Sequence, residues 1–158
     1  MMVLGIDPGL TGALALVDGE RMVRIWDMPV TEKTNGKGKE VNAYLLSDLV
    51  VDAMSMADRG LMVARVEQVG PMPGQGVSSM FSFGFSAGVI SGVLGSLGIN
   101  KQMVRPAAWK RSYGLTGREK DAARTLAIER YPEAAPLLAR KKDVGRADAL
   151  LIAGYEPK

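Results

Sequence analysis

The sequence of 158 residues contains neither cysteine nor histidine. Without them the protein cannot use a Ser-His-Asp triad, a thiolate nucleophile or a zinc site built on thiolates or imidazoles. It forms no disulfide bonds, so nothing points to an oxidising compartment. Carboxylates are therefore the main remaining source of catalytic chemistry, and their hard oxygen atoms suit magnesium or manganese ions.

Long apolar runs and targeting signals are also missing. No stretch of about 18 uninterrupted apolar residues predicts a membrane span, and the N-terminal MMVLGID does not resemble a signal peptide. We therefore expect a cytoplasmic protein with no membrane partner. The length is typical of one compact unit with a sizeable core, and we expect residues 1–158 to form a single domain.

Basic residues are concentrated in the C-terminal third. The net charge is only +3, but most of the lysines and arginines lie from Lys101 onward. A surface of this kind suits a polyanion such as DNA or RNA, although many basic faces are merely solvated. Charge alone does not decide between these two interpretations.

The order of the apolar segments predicts an α/β fold. A helix over 41–58 and a strand over 61–68 follow a polar, glycine-containing segment at 30–40, which predicts a mobile loop. We expect this strand to lie beside the first strand and parallel to it. Before the loop, three strands predict an antiparallel meander, over 3–7, 11–18 and 22–29.

The second half predicts one long helix and several shorter elements. Residues 69–88 predict a loop, broken by glycine and proline, that leads into an apolar helix ending near Gly98. Gly84, Gly88 and Gly92 recur every four residues, a spacing that favours close helix packing within the core or across a dimer. The remaining elements are a strand over 102–105 and helices over 107–113, 118–130 and 146–155.

Four acids occupy positions from which they could meet. Asp7 and Glu67 end two apolar strands that we expect to be neighbours, while Asp143 and Asp148 flank the start of the last helix. Each strand acid also has a structural explanation. Aspartate before Pro-Gly is a common turn residue, and Glu67 could pair with Arg65 or a nearby lysine. If Asp143 lies outside the helix, it and Asp148 can approach a shared cation.

Four segments occur in this order: GIDPGLTGALALVD, VEQVGPMPGQGVSSMFSFG, VRPAAWKRSYGLTGREKDAAR and GRADALLIA. Together they resemble the bacteriophage branch of the RuvC-type Holliday-junction resolvases over nearly the whole chain. The resemblance implies a ribonuclease H-like fold with a five-stranded mixed sheet, an antiparallel meander plus parallel strands, flanked by helices. It also implies a DNA endonuclease that resolves four-way junctions with paired symmetric nicks, in the bacterial host cytoplasm if the protein is phage-encoded.

The resemblance assigns roles to the acids. Asp7, Glu67 and Asp148 correspond to the metal ligands of the family, with Asp7 as the bridging candidate between two Mg²⁺ ions, for which Mn²⁺ can substitute. Bacterial relatives carry a further acid or histidine three positions before the last one, and here that position is Gly145. Asp143 is the candidate substitute. Such a pair of ions activates water and stabilises the leaving 3′-oxygen.

Lys120 matches a lysine that the family places beside the active site, where it can contact the scissile phosphate; an exposed helix cation is the alternative. The family also uses an aromatic residue just after EQV, where this chain has Gly70. Phe81, Phe83 or Phe85 could have taken that role, but packing in the core is the favoured interpretation for all three.

The resemblance also predicts the partners. Symmetric nicks require a twofold homodimer, and the glycine-spaced helix over 84–97 resembles the dimer-forming element of the family. Trp109 is expected to anchor a short helix rather than to contact DNA. The candidate contacts to DNA phosphates are Lys37, Lys39, Arg105, Lys110, Arg111, Arg118 and Arg124.

Alternatives from other classes stay open. A sugar kinase or related ATPase also begins with a GxDxG hairpin, but it needs a duplicated domain and a second phosphate loop, which this length does not accommodate. A non-catalytic junction-binding protein would need the basic surface without all the acids. A ribonuclease acting on RNA–DNA hybrids, or a broader branched-DNA nuclease, would share the fold.

Overall fold

The computed structural model describes residues 1–57, 61–71, 73–74 and 76–157, and of Lys120 it describes the backbone alone. The strands within these residues are β1 (Met2–Asp7), β2 (Ala13–Asp18), β3 (Arg21–Asp27), β4 (Val30–Glu32), β5 (Lys39–Val41), β6 (Met62–Glu67) and β7 (Asn100–Val104). Five of them form a mixed sheet in the order β3-β2-β1-β6-β7, and β4 pairs with β5.

The sheet confirms the predicted strand pairing. β1 and β2 are antiparallel, with Asp7 opposite Ala13, and β3 continues the meander with Asp27 opposite Ala13. β6 runs parallel to β1, with Val66 opposite Ile6. The ends of β1, β3 and β6 therefore lie at the same edge of the sheet.

Helices cover both faces of the sheet. The helices within the described residues are α1 (Ala43–Met56), α2 (Val77–Ser96), α3 (Pro106–Ser112), α4 (Lys120–Arg130) and α5 (Val144–Gly154). α1 and α2 pack on one face, where Leu4 and Ile6 of β1 point. α3, α4 and α5 pack on the other, against Val3. Both faces of β1 are buried, which explains why its sequence is apolar throughout.

Gly5 allows α5 to approach the sheet closely. A Cβ atom at this position would lie 2.1 Å from the carbonyl oxygen of Ala149 and 2.7 Å from the Cβ of Ala153. Only glycine leaves room for such contact between a strand and a helix backbone. The close packing brings the first turn of α5 beside the end of β1.

Several predicted loops are ordered elements instead. The segment 30–40, predicted as a mobile loop, contains β4 and the first two residues of β5, and these two strands pair as an antiparallel hairpin. α2 begins at Val77, inside the segment predicted as a loop. Gly76 is its N-cap, and the serine and phenylalanine residues that follow have helix propensities high enough to continue the helix. Two 3₁₀ segments that were not predicted, Pro132–Leu138 and Lys141–Asp143, precede α5.

α2 is only partly covered. Ser86, Ile90 and Leu94 are buried on its inner side. In the part of the chain that the structure describes, it is the one helix whose length and composition would allow it to cross a membrane. Its buried side belongs to the same core cluster as the sheet, so α2 is a packed helix of this fold with one exposed apolar side.

Candidate active site

Asp7 and Glu67 lie next to each other at the sheet edge, as predicted. Asp7 is the last residue of β1 and Glu67 is the last residue of β6, and the parallel register between Ile6 and Val66 brings the two ends together. The turn after Asp7 is closed by a hydrogen bond from the amide of Gly12 to the carbonyl of Gly9, at 2.9 Å. Both carboxylates therefore depend on rigid strands for their position.

The surroundings of Asp7 disfavour the ionised form of its carboxyl group. Its pKa is raised from 3.8 to about 6, first by burial and then by the negative charge of Glu67. A hydrogen bond from the backbone of Gly9 and the positive charge of Lys110 act in the opposite direction. Burial and a neighbouring like charge both disfavour the ionised form. A cation between these two acids would remove that penalty.

Trp109 holds Glu67. Its indole Nε1 donates a hydrogen bond to Oε1 of Glu67 at 2.9 Å, and its ring is fully buried at the start of α3. The prediction that Trp109 anchors a short helix is confirmed, but its contact with the acid was not foreseen. Arg65, one of the candidate partners of Glu67, instead donates to the carbonyl of Ala153 at 2.6 Å. An indole N–H has no charge, so it orients the carboxylate without neutralising it.

Asp7 shares a cleft with Asp148. The cleft has a volume of about 470 Å³ and both acids line it, together with Thr11 and Gly145. Asp148 reaches it because α5 packs closely on β1. Over the described residues, no three acids are grouped closely enough to form a metal cage by themselves. Asp7 is thus the acid that the other two have in common, since Glu67 acts on its charge and Asp148 shares its cleft.

Asp143 is engaged elsewhere. Its carboxylate is only 4 % exposed. Both of its oxygen atoms accept hydrogen bonds from Arg140, at 2.7 Å from the guanidinium Nη2 and 2.9 Å from the backbone amide. The Arg140 guanidinium holds the pKa of this carboxyl below its usual range. Asp143 is not one of the described residues that line the cleft. The structure gives it a structural position before α5 instead of the expected place beside Asp148.

Arg146 extends this ion-pair network. It makes two short contacts with Asp27 at the end of β3, at 2.6 and 2.7 Å, and donates to the carbonyl of Leu137 at 3.0 Å. Arg146 also lies 3.9 Å from Asp143. These contacts tie the N-terminus of α5 to the sheet edge that carries Asp7. The helix that presents Asp148 is thus held from two sides, by close packing and by ion pairs.

Gly145 stands at the position where the resemblance to RuvC-type resolvases led us to expect a further acid or histidine. A Cβ atom there would lie 2.4 Å from the carbonyl oxygen of Thr11 and 3.2 Å from Oδ2 of Asp7. This position lines the cleft, but it has no room for a side chain. The packing of α5 against the turn after Asp7 therefore excludes an acid at position 145 in this chain.

Replacing Gly145 with alanine is expected to push α5 away from β1. We expect a loss of about 1–3 kcal/mol in the free energy of unfolding, because an added methyl group in a packed contact forces backbone shifts. Urea unfolding measures this loss. Gly95→Ala is the matched control, because a Cβ atom there meets nothing within 4 Å. Equal stability of the two variants would contradict the observed contact.

Four basic residues surround the acids. Lys110 and Arg118, both predicted, line the cleft, and so do Lys141 and Lys142, which were not singled out. The sequence did offer one indication of their role, because both lysines directly precede the segment that carries Asp143 and Asp148. These lysines were not predicted because they lie in a 3₁₀ turn, Lys141–Asp143, that brings them to the cleft. Hydrophobic periodicity does not reveal such a turn.

The other predicted phosphate contacts do not line the cleft in the described residues. Arg124 is held by Asp121 at 2.8 and 3.0 Å and donates to the carbonyl of Leu138, which gives it a structural role. The side chain of Lys120 lies outside the described residues, so its role beside the active site stays a prediction. The remaining candidates are exposed, and their contacts with DNA also stay predictions: Lys37, Lys39, Arg105 and Arg111.

The phenylalanines of α2 are not part of the core. Phe81, Phe83 and Phe85 are all exposed, at 72 %, 43 % and 43 %. The core-packing interpretation is therefore wrong for all three. The cause is that α2 starts earlier than predicted and its first turns extend beyond the residues that cover the sheet. Around Gly70, a Cβ atom would meet only open space.

Comparisons with known proteins agree with this architecture. No protein family model matches the chain. The chain is 32% identical over 152 residues to a protein of Chlamydomonas reinhardtii named Holliday junction resolvase MOC1, chloroplastic. The match covers 84% of the chain but 17% of that protein. The chain thus spans less than a fifth of the length of this relative.

Two similar solved structures come from Thermus thermophilus. One is RuvC in complex with a Holliday junction substrate, with a TM-score of 0.63, 20% identity and coverage of 98% of this chain and 90% of that one. The other is RuvC itself, with a TM-score of 0.60, 18% identity and coverage of 97% and 91%. At this identity the likeness concerns the fold, and it confirms the predicted ribonuclease H-like architecture.

Proposed function

We propose that this protein is a structure-selective DNA endonuclease that resolves four-way junctions by hydrolysing phosphodiester bonds in paired symmetric nicks. The observation that carries the proposal is the cleft in which Asp7 and Asp148 lie among basic side chains. Acids suit hydrolysis and the surrounding cations suit a phosphate backbone. The names of the relative and of the junction-bound structural neighbour support a junction as the substrate.

Divalent metal ions complete the proposed site. We propose Mg²⁺, with Mn²⁺ able to substitute, as two ions that Asp7, Glu67 and Asp148 would hold together with water. Water ligands are needed because the described acids do not form a closed group of three by themselves, and Mg²⁺ usually keeps several of its waters. When bound, such ions supply a water of lowered pKa and stabilise the leaving oxygen. The fit rests on donors that are all hard oxygens and on the charge penalty at Asp7 that a cation relieves. Asp143 is left out because Arg140 occupies both of its oxygens.

The chain's own residues orient these donors. The backbone amide of Gly9 bonds to Asp7 and favours its ionised form. Trp109 fixes one oxygen of Glu67. Lys110, whose Nζ lies 5.2 Å from the centre of the Trp109 ring, adds positive charge near Asp7 and is placed to receive a phosphate. No histidine base is needed for this arrangement.

Lys141 and Lys142 are proposed to bind the DNA backbone at the cleft. Replacing both with glutamine is expected to weaken junction binding and to reduce the slope of log K against log salt by about 2, because each phosphate contact contributes about 0.9. Fluorescence anisotropy at several salt concentrations measures the slope. Arg21→Gln, an exposed change at the opposite sheet edge, is the control. An unchanged slope in the double variant would place the DNA elsewhere.

A twofold dimer is also proposed, through the outer side of α2. This side is apolar and exposed, and Cβ atoms at Gly84, Gly88 and Gly92 would meet nothing within 4 Å. Exposed apolar patches of this kind mark interaction surfaces. Gly88→Lys is expected to give a monomer in sedimentation velocity, whereas Asp48→Lys on α1 is not. A monomeric wild-type protein at micromolar concentration would contradict the dimer.

The decisive experiment is cleavage of a mobile four-way junction. We expect paired nicks in the presence of Mg²⁺, none in EDTA, and loss of cleavage in Glu67→Gln. The same assay includes flapped DNA, replication forks and an RNA–DNA hybrid. Faster cleavage of the hybrid would favour a ribonuclease. Tight junction binding without any cleavage by the wild-type protein would favour a binding module.

A further inference from the structure

Trp109 is held in one place beside Glu67. It lies in α3, it has no exposed surface, and its ring meets the ring of Tyr113 edge to face, with 6.5 Å between the two centroids. The amide of Gln68, the residue after Glu67, donates to the carbonyl of Val104 at 2.8 Å, just before α3 begins. The segments that carry the indole and the carboxylate are therefore bonded to each other. A ring packed this closely keeps one orientation.

The indole N–H engages one of the two oxygens of Glu67. It donates to Oε1 at 2.9 Å. Within the described part of the chain, no hydrogen bond is made to the second oxygen, Oε2. An oxygen that already accepts a hydrogen bond gives less electron density to a cation, and the contact also fixes the plane of the carboxylate. The two oxygens of Glu67 are therefore unequal ligands, and one of them is free.

We propose that Trp109 is a positioning residue that holds Glu67 as a one-oxygen ligand and thereby makes the metal site prefer Mg²⁺ to Ca²⁺. The inference rests on the proposed nuclease function and its metal ligands. Ca²⁺ takes about 6–8 oxygen ligands in a flexible shell and often binds both oxygens of one carboxylate. Mg²⁺ demands an octahedral shell, keeps several waters and binds through few carboxylates. A carboxylate with one free oxygen suits Mg²⁺ better than Ca²⁺.

The other acids do not make up for the oxygen that Trp109 occupies. No three of the described acids are grouped closely enough to form a closed cage. Asp143 carries two further oxygens, but both accept hydrogen bonds from Arg140. Ca²⁺ needs many protein oxygens, whereas Mg²⁺ completes its shell with water. The hydrogen bond from Trp109 to Glu67 therefore disfavours Ca²⁺ more than Mg²⁺.

A purely structural role for the same hydrogen bond makes a different prediction. A buried indole N–H needs an acceptor, and Glu67 provides one. If anchoring the indole were the whole effect, removal of the N–H would change the affinities for Mg²⁺ and Ca²⁺ by the same factor. The ratio of the two affinities therefore separates positioning of the ligand from anchoring of the helix.

Trp109→Phe tests the proposal, because it keeps an aromatic ring and removes the N–H. Isothermal titration calorimetry without DNA measures the dissociation constants of Mg²⁺ and Ca²⁺. We expect the affinity for Mg²⁺ to fall about tenfold, the scale of a lost group that orients a metal ligand, and the affinity for Ca²⁺ not to fall. Trp26→Phe on β3 is the matched control, because that ring also carries a cation over its face, at 5.8 Å from Arg24. An unchanged ratio of the two constants in Trp109→Phe would overturn the proposal.

NMR of the indole N–H groups observes the hydrogen bond directly and requires neither cleavage nor a change at Trp109. The chain has two tryptophans, so Trp26→Phe identifies the signal of Trp109. We expect Mg²⁺ to shift the Trp109 signal and to leave the Trp26 signal in place, and Glu67→Gln to abolish this response. The measurement also decides the question if Trp109→Phe does not fold.

The two experiments separate this proposal from the nuclease function. A Trp109 signal that ignores Mg²⁺, in a protein that cleaves junctions with Mg²⁺, would overturn the positioning role and leave the nuclease function intact. A responsive signal and the expected change in the Mg²⁺ to Ca²⁺ ratio, in a protein that cleaves no DNA, would support the positioning role and remove the nuclease function.

Discussion

Replacing Asp7 with asparagine is expected to lower junction cleavage by about a thousandfold and, at pH 8, to make the folded protein more stable. The loss of cleavage follows from removing the acid that neighbours Glu67 and shares a cleft with Asp148. Its size is that seen when an enzyme loses one group that stabilises the transition state. The gain in stability follows from the raised pKa of about 6. Functional sites commonly sacrifice stability in this way.

The sign of the pH effect is specific. The folded protein binds the proton of Asp7 more tightly than the unfolded chain does, because the folded pKa of about 6 exceeds the ordinary value of 3.8. The free energy of unfolding therefore falls as the pH rises from about 4 to about 6, by about 3 kcal/mol. Asparagine removes this loss, so the variant should gain up to about 3 kcal/mol at pH 8 and little at pH 4.

Urea unfolding at both pH values measures the effect, with Asp48→Asn on the exposed side of α1 as the control. Mg²⁺ provides a second measurement, because an ion that binds only the folded state raises the free energy of unfolding. It should stabilise the wild-type protein at pH 8 more than Asp7→Asn. A variant that is less stable than the wild-type protein at pH 8 would show that Asp7 has a structural role instead.

Replacing Asp143 with alanine should destabilise the protein by about 2–3 kcal/mol, because a buried carboxylate loses charged hydrogen bonds and the turn before α5 loses its anchor. The pKa of Asp143 is held low in the folded state by Arg140. Its contribution is therefore fully present above the unfolded pKa of about 4 and is lost as the pH falls through the lower folded value. Urea unfolding at pH 7 and pH 3 measures both effects.

The same variants test the sequence-based expectation that Asp143 binds metal. If the carboxylate is structural, Asp143→Asn should keep the stabilisation by Mg²⁺ that the wild-type protein shows. Cleavage by this variant should also be close to normal at a temperature where it is folded. A folded Asp143→Asn protein that no longer responds to Mg²⁺ would instead return Asp143 to the metal site.

Local patterns determined much of the fold. The apolar runs before Asp7 and Glu67, and the connection between them, predicted two parallel neighbouring strands, and the structure contains them. These features are readable because strand and helix periodicity is set by nearby residues. The acids at the strand ends followed directly, since parallel neighbours end at the same edge. The placement of Asp7 beside Glu67 was thus a consequence of sequence order.

Only the tertiary structure decided which other groups belong to the site. Asp143 and Asp148 both flank the start of the last helix in the sequence, and both were candidate metal ligands. In the structure Arg140 holds Asp143, while close packing of α5 brings Asp148 into the cleft. Trp109 reaches Glu67 across 42 positions. Such contacts depend on how helices dock on the sheet, and docking is set by many distant side chains at once. Periodicity along the chain carries no record of that geometry.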